Sequence, residues 1–236
     1  MGVDELLLAQ SDAPGTATCA LRFYQWEQAT LSLGYFQPAG QREMHPESRD
    51  CPLVRRATGG GAIVHDRELT YSIALAAAHP LAGDVLALYR AVHESLVRVL
   101  SEWGVAAHLW DRSLGVPPAE QPFLCFERRS VGDVVLRVAE RDQKLAGSAQ
   151  RRGRGAVLQH GSILLAASPA APQLPGLAEL CGLRISPEEL AARWLRELGP
   201  AIGLDVTPRP LSTQEQQEAA RWVARRYAHD EWTFRK

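Results

Sequence analysis

Apolar positions along the chain follow two periods. Over 84–103 they fall at Val85, Leu88, Tyr89, Val92, Leu96, Val99, Leu100 and Trp103. That spacing of three and four puts them on one helical face, with Gly104 as the stop signal. Residues 3–10 carry a shorter helix with a leucine face. Ser186 with Pro187 and Glu189, and Ser212 with Glu215, are capping patterns that open two later helices, the second ending near Ala228. Elsewhere the runs are short and rich in β-branched and aromatic residues. They predict strands at 21–26, 31–35, 52–56, 62–66, 70–76, 105–110, 133–138, 144–150, 156–160 and 162–167. His93 falls on or beside the core-facing stripe of the long helix, without partner spacing, and reads as structural or solvated.

Two stretches break this regularity with small residues and cations. In 55–72, Arg55 and Arg56 precede Gly59, Gly60 and Gly61, and His65, Asp66, Tyr71 and Ser72 follow. In 144–165, Lys144 precedes Gly147, Ser148 and Ala149, and His160, Gly161 and Ser162 follow. Each places backbone N–H groups and cationic side chains around one spot, an arrangement suited to an oxygen-rich or anionic group. The plainer reading of the three glycines is a β-hairpin turn joining 53–56 to 62–66. The plainer reading of Lys144 is a strand-end lysine with its head in water.

Composition narrows the field. The chain has 236 residues, 46% of them hydrophobic, enough for one large α/β domain spanning 1–236. A net charge of -1 gives no reason to expect nucleic acid or an anionic membrane, so the arginines are read locally. Cys19, Cys51, Cys125 and Cys181 are scattered without a CxxC pair, which argues against zinc and against a dense disulfide framework. No metal site is expected. The first residues lack the basic start and long apolar core of a signal peptide, and no run approaches a membrane span. A cytoplasmic protein with free thiols is the expectation.

The order of these motifs resembles the catalytic domain of the lipoate-protein ligase, octanoyltransferase and biotin-protein ligase superfamily. The likeness runs from the first helix nearly to the C-terminus. The wording from His65 to Ser72 and the closing Asp230–Arg235 are most similar to the octanoyltransferases that carry ligase-like sequences. The resemblance implies an α+β fold with a mixed, mostly antiparallel sheet flanked by helices. It also implies a nucleophilic cysteine in a Cys-Phe pair ahead of the Lys-Gly-Ser strand, a place Cys125-Phe126 matches. ATP-dependent ligases of the superfamily typically show an Asn-Asp pair before the lysine, where this chain has Gly132-Asp133.

On this reading Cys125 accepts an octanoyl or lipoyl group from an acyl carrier protein thioester and passes it to a lysine of a lipoyl domain or glycine-cleavage H protein. A thiolate suits both steps when a cation stands beside it, and Lys144 is the candidate cation and oxyanion stabiliser. Free cysteine also behaves as a small hydrophobe, so burial between Phe123, Leu124 and Phe126 is the alternative for Cys125. Of Arg55 and Arg56, one is expected to clamp an anionic group and the other to pair with an acidic residue such as Asp66. His65 and His160 line the site, either shuttling a proton or orienting loops. Gly59–Gly61, Tyr71, Gly147, Ser148, Ala149 and Gly161 complete the expected substrate site, with Leu33, Val64 and Tyr71 as walls of an acyl tunnel. The loop 111–122 is a candidate lid. The transferase needs no cofactor and is expected to act as a monomer. The first alternative is a ligase working through lipoyl-AMP with ATP and Mg²⁺; the second is a non-catalytic binder of lipoyl domains.

Overall fold

The structure, a computed structural model, describes residues 1–15, 17–113, 115 and 121–235. The core of the fold is an antiparallel sheet in which β1 (Ala20–Tyr24), β5 (Glu68–Leu75), β9 (Val157–Leu164), β8 (Arg141–Arg152), β7 (Val134–Val138) and β6 (Ala107–Leu109) lie side by side in that order. One face is covered by α2 (Val85–Glu102) and α4 (Pro187–Ala201). Leu88, Val92, Leu96, Trp194 and Leu198 meet Tyr71, Ile73, Leu145 and Ile163 of the strands there, all buried. The other face carries α1 (Gly2–Ser11), whose Leu7 and Leu8 pack on Ala74 and Leu158, with α5 (Thr213–Trp222) beyond it. An α+β fold with a sheet between helices is as the resemblance implies; this sheet is antiparallel throughout.

The helix signals hold in detail. The carboxylate of Asp84 accepts the N–H groups of Leu86 and Ala87, and Gly104 takes the left-handed turn after α2 at φ +76°. Ser212 and Glu215 close both halves of a capping box. At Ser186 only one half forms: its hydroxyl accepts from Glu189 N–H, and the Glu189 side chain is not part of it.

Two strand expectations change. The runs 156–160 and 162–167 are one strand, β9, because Gly161 continues the ladder opposite Tyr71 and Ser148. The three glycines are not a hairpin turn. They link β3 (Leu53–Arg55) to β4 (Ile63–His65), which lie on opposite sides of β2 (Thr30–Leu33) in a separate three-stranded sheet. β3 runs parallel to β2 and β4 antiparallel to it, so the link must cross the end of β2. Glycine meets that need at Gly60, whose φ is +94° and whose carbonyl passes so close to Gly34 that a Cβ there would lie 2.0 Å from it. The small sheet carries its own core of Leu31, Leu33, Val64, Phe123, Leu124 and Phe126. Half of the candidate lid, Leu114 and 116–120, lies outside the described residues.

Candidate active site

A cavity opens where the small sheet and its glycine link face the cavity side of β5, β8 and β9. Cys125 stands at this junction, at the start of a 3-10 turn (Cys125–Glu127). Its N–H donates to the Ala62 carbonyl at 2.7 Å, and Ala62 N–H donates to the Phe123 carbonyl at 2.9 Å. This parallel bridge ties the cysteine turn to the residue that follows the three glycines. The thiol is half-buried and free.

Three cations surround it. Lys144 is 6% exposed, and its Nζ lies 4.0 Å from Cys125 Sγ, 3.4 Å from the Cys125 carbonyl and 2.8 Å from Asp133 Oδ2. Burial works to lower its pKa, but the Cys125 sulfur and the Asp133 carboxylate outweigh it and hold the ammonium above the ordinary lysine range. Arg56 is 2% exposed. Its Nη1 donates to the carbonyl and hydroxyl of Ser32, both at 3.0 Å, and its Nη2 to the carbonyls of Gly59 at 3.0 Å and Gly61 at 2.6 Å. Its Nε is buried without a partner, and it makes no ion pair among the described residues. Burial pulls its pKa to about 10, with the Cys125 sulfur acting the other way, so it stays charged at neutral pH. Arg128 is also lowered by burial and supported by the Cys125 sulfur; its guanidinium caps the carbonyls of Pro122 and Phe123. The amides of Gly59, Gly60 and Gly61 donate to no acceptor among the described residues. A Cβ on Gly60 would lie 3.8 Å from Sγ, so this unpaired backbone is next to the sulfur.

Asp133 was not anticipated as a site residue, and a buried network fixes it. Tyr89 OH donates to its Oδ1 at 2.6 Å and Ser130 N–H to its Oδ2 at 2.7 Å, while Ser148 N–H donates to the Tyr89 oxygen at 3.1 Å. His93 is fully buried beneath the site, its Nδ1 2.6 Å from the Gly132 carbonyl and its Nε2 2.6 Å from Ser148 Oγ. Burial lowers its pKa to about 4 despite the Gly132 carbonyl, so the ring is neutral, with the proton on Nδ1 and Nε2 accepting from Ser148. The signal for both lay in α2: Tyr89 and His93, four apart, put polar tips on an otherwise apolar stripe.

The cavity beyond Cys125 is walled by Tyr24, Trp26, Ile63, His65 and Phe126. Trp26 stacks on His65, centroids 4.2 Å apart at 13°, and its indole N–H donates to Thr70. His65 bonds Glu68 through Nδ1 at 2.6 Å and Ser32 through Nε2 at 2.7 Å. His160 bonds Asp4 through Nδ1 at 3.2 Å and Thr58 through Nε2 at 2.6 Å, and burial lowers its pKa. Gly147, Ser148, Ala149, Gly161, Gly59 and Gly60 all reach the cavity.

Some expected site residues stand elsewhere, and strand alternation is the reason. Arg55 and Arg56 are neighbours in sequence, so only one can face the cavity. Arg55 turns away, donating to the carbonyls of Trp232 and Thr233 and of Gly34 and Tyr35, and thereby clasps the C-terminal segment. Neither arginine pairs with Asp66, whose carboxylate accepts from Ser168. Tyr71 lies on the α2 and α4 face, edge-on to Trp194 and bonded to Ser148 Oγ, while its neighbour Thr70 faces the cavity. Leu33 and Val64 belong to the core of the small sheet, and Ile63 takes the wall position instead. Gly61 is packed under the Arg128 guanidinium rather than on the cavity wall.

The fold and this site define a protein of the lipoyl-attachment class, and residues 1–172 match the lipoyl protein ligase A/B catalytic domain, the family to which the chain belongs. Over its whole length the chain is 35% identical to the octanoyltransferase LipM of Kyrpidia tusciae and 32% identical to that of Staphylococcus aureus, covering 94% of each. Among solved structures, a putative lipoate protein ligase from Thermoplasma acidophilum superposes with a TM-score of 0.76 at 21% identity, over 99% of this chain and 92% of the other. A lipoate-protein ligase A bound with ATP gives 0.74 at 21%, with the same coverage.

Proposed function

We propose that this chain is an octanoyltransferase of protein lipoylation that works through a thioester on Cys125. The relatives named octanoyltransferase span its whole length and support the reaction class. The observation that carries the cysteine route is the setting of Cys125: a free thiol at the cavity, 4.0 Å from a buried ammonium, with Arg56 and unpaired glycine amides around it.

In the first half-reaction the Cys125 thiolate attacks the carbonyl of an octanoyl thioester carried on the pantetheine arm of acyl carrier protein. A C–S bond forms, and the carbonyl electron pair moves to oxygen. That oxyanion is met by the Lys144 ammonium, the Arg56 Nε–H and the amide of Gly60. Collapse expels the pantetheine thiolate, which takes a proton from water, and leaves octanoyl-Cys125. In the second half, the neutral ε-amine of a lysine on a lipoyl domain or glycine-cleavage H protein attacks the new thioester. The amide forms, Cys125 leaves as the thiolate, and the nitrogen's proton goes to water. His65 and His160 have both ring nitrogens engaged and serve as oriented walls. The octanoyl tail lies along Trp26, Ile63 and Phe126.

Asp133 holds Lys144 in this scheme, and Gly132 bears on the ligase alternative. Gly132 has φ +91°, and a Cβ there would lie 2.8 Å from the Tyr89 ring. This crowding supports reading Gly132-Asp133 as a departure from the Asn-Asp pair of ATP-dependent ligases, and the proposed reaction uses neither ATP nor Mg²⁺.

The test is intact-protein mass after mixing with octanoyl-acyl carrier protein without ATP. The wild type gains one octanoyl group and Cys125→Ala gains none. Labelling of a lipoyl domain by Cys125→Ala with lipoate, ATP and Mg²⁺ would instead establish the ligase.

A further inference from the structure

A second cleft shares Gly59 with the active-site cavity. Tyr35, Phe36, Thr58, Gln150, Arg151, Arg226 and Trp232 wall it, and none of its lining among the described residues is acidic. Arg151 and Arg226 both donate to the same oxygen of Glu5, which also accepts from Tyr227. One buried carboxylate thus answers two guanidinium groups, whose side chains remain 31% and 27% exposed. Arg235 lies over the Tyr35 ring at 3.8 Å and the Trp232 ring at 5.3 Å, without an acidic partner among the described residues. The whole chain carries a net charge of only -1, so this cationic concentration is local. Phe36 stands at the rim 81% exposed, edge-on to Tyr35.

We propose that this cleft is the docking surface for the acyl donor: an acidic carrier-protein face whose phosphodiester-linked pantetheine arm enters the cavity past Gly59. The inference rests on the carrier-protein donor reading above. Guanidinium pairs suit a phosphodiester, and an exposed aromatic suits the apolar centre of a transient interface. The acceptor fits less well, because it must present a lysine ammonium to the same positive field. The cleft also connects to the chemistry. Thr58 bonds the cavity's His160, and the Gly59 carbonyl holds Arg56, so an arm passing here touches the loop that carries both.

The experiment compares two donors, octanoyl-acyl carrier protein and octanoyl-N-acetylcysteamine, which has the thioester but neither phosphate nor protein. The enzymes are wild type, Arg151→Gln, Arg235→Gln and Phe36→Ser; the last two alter rim residues and leave Glu5 fully paired. The expected result is a loss of about tenfold in kcat/KM with the carrier protein for each variant. The small donor should react at the wild-type rate, and the salt dependence of the carrier reaction should weaken in the two arginine variants. Unchanged carrier kinetics overturn the proposal, as does equal slowing with both donors. A rise confined to the KM of the lipoyl acceptor assigns the cleft to the acceptor and also overturns it. If neither donor acylates wild-type Cys125, the donor reading itself fails, and this inference with it.

Discussion

Asp133→Asn removes one charge from a buried triad while keeping the shape of the side chain. The Lys144 ammonium lies 2.8 Å from Asp133 and 4.0 Å from Cys125 Sγ. At an effective permittivity of about 20, the first pair is worth roughly 6 kcal/mol and a thiolate at the second distance roughly 4 kcal/mol. Loss of the carboxylate is therefore offset only in part by the sulfur. A net loss near 3 kcal/mol in stability is expected, in the range for breaking a buried pair. The asparagine amide has one acceptor oxygen where the carboxylate had two, so its NH2 faces either Ser130 N–H and Lys144 or the Tyr89 hydroxyl, and the hold on the ammonium loosens. A cost of about 100-fold in the acylation rate follows, comparable to removing one oxyanion donor.

The pH dependence has a fixed sign. Lys144 is raised above its ordinary value of 10.5, so its stabilising contribution is complete below that value and is lost as pH rises through the folded pKa. Without Asp133, burial is opposed by the sulfur alone, and this alkaline limb moves to lower pH. The assays are urea unfolding and the pH profile of Cys125 alkylation by iodoacetamide. A variant that acylates within twofold of wild type, with its alkaline limb unmoved, would refute the positioning role of Asp133.

Three other outcomes follow from the same geometry. Gly60→Ala should cost about 1–2 kcal/mol, because φ +94° is unfavourable for alanine and its methyl lies 3.1 Å from Arg56 Nη2; urea midpoints check this, and a slower acylation rate should accompany it. Arg55→Met should lower stability by about 3 kcal/mol through the carbonyls it leaves unpaired, yet acylation by the folded fraction should match wild type, since Arg55 faces away from the cavity. His93 is neutral when folded, with a pKa of about 4 against an ordinary 6.5, so it favours folding above pH 6.5, and roughly 3 kcal/mol of that is lost as pH falls from there to 4. His93→Gln should flatten this acid limb in urea titrations at stepped pH.

The elements were legible because each carries its own signal: the apolar stripe of α2, the caps at Ser186 and Ser212, and the β-rich runs. The site was legible as a set of residue types. What the sequence could not show was which way neighbours point. Arg55 and Arg56, Val64 and Ile63, and Tyr71 and Thr70 are adjacent pairs whose members take opposite faces. The face is set by pairing partners far along the chain, such as His160 opposite Ser72. The glycine link reads as a hairpin because β2, the strand that separates its two ends, lies some twenty residues upstream and leaves no local trace. Asp133 stayed hidden for a similar reason. Its importance comes from Lys144 and Tyr89, and a β-bulge between Val134 and Val135 sets the local register.

The central claim is that octanoyl-Cys125 is an intermediate rather than a side product. The most direct measurement is to isolate the octanoylated enzyme, free of donor and ATP, add a lipoyl domain, and follow both masses. The account predicts that the enzyme returns to its original mass as the domain gains one octanoyl group on a single lysine. An octanoylated enzyme that keeps its adduct while the domain stays unmodified would contradict it.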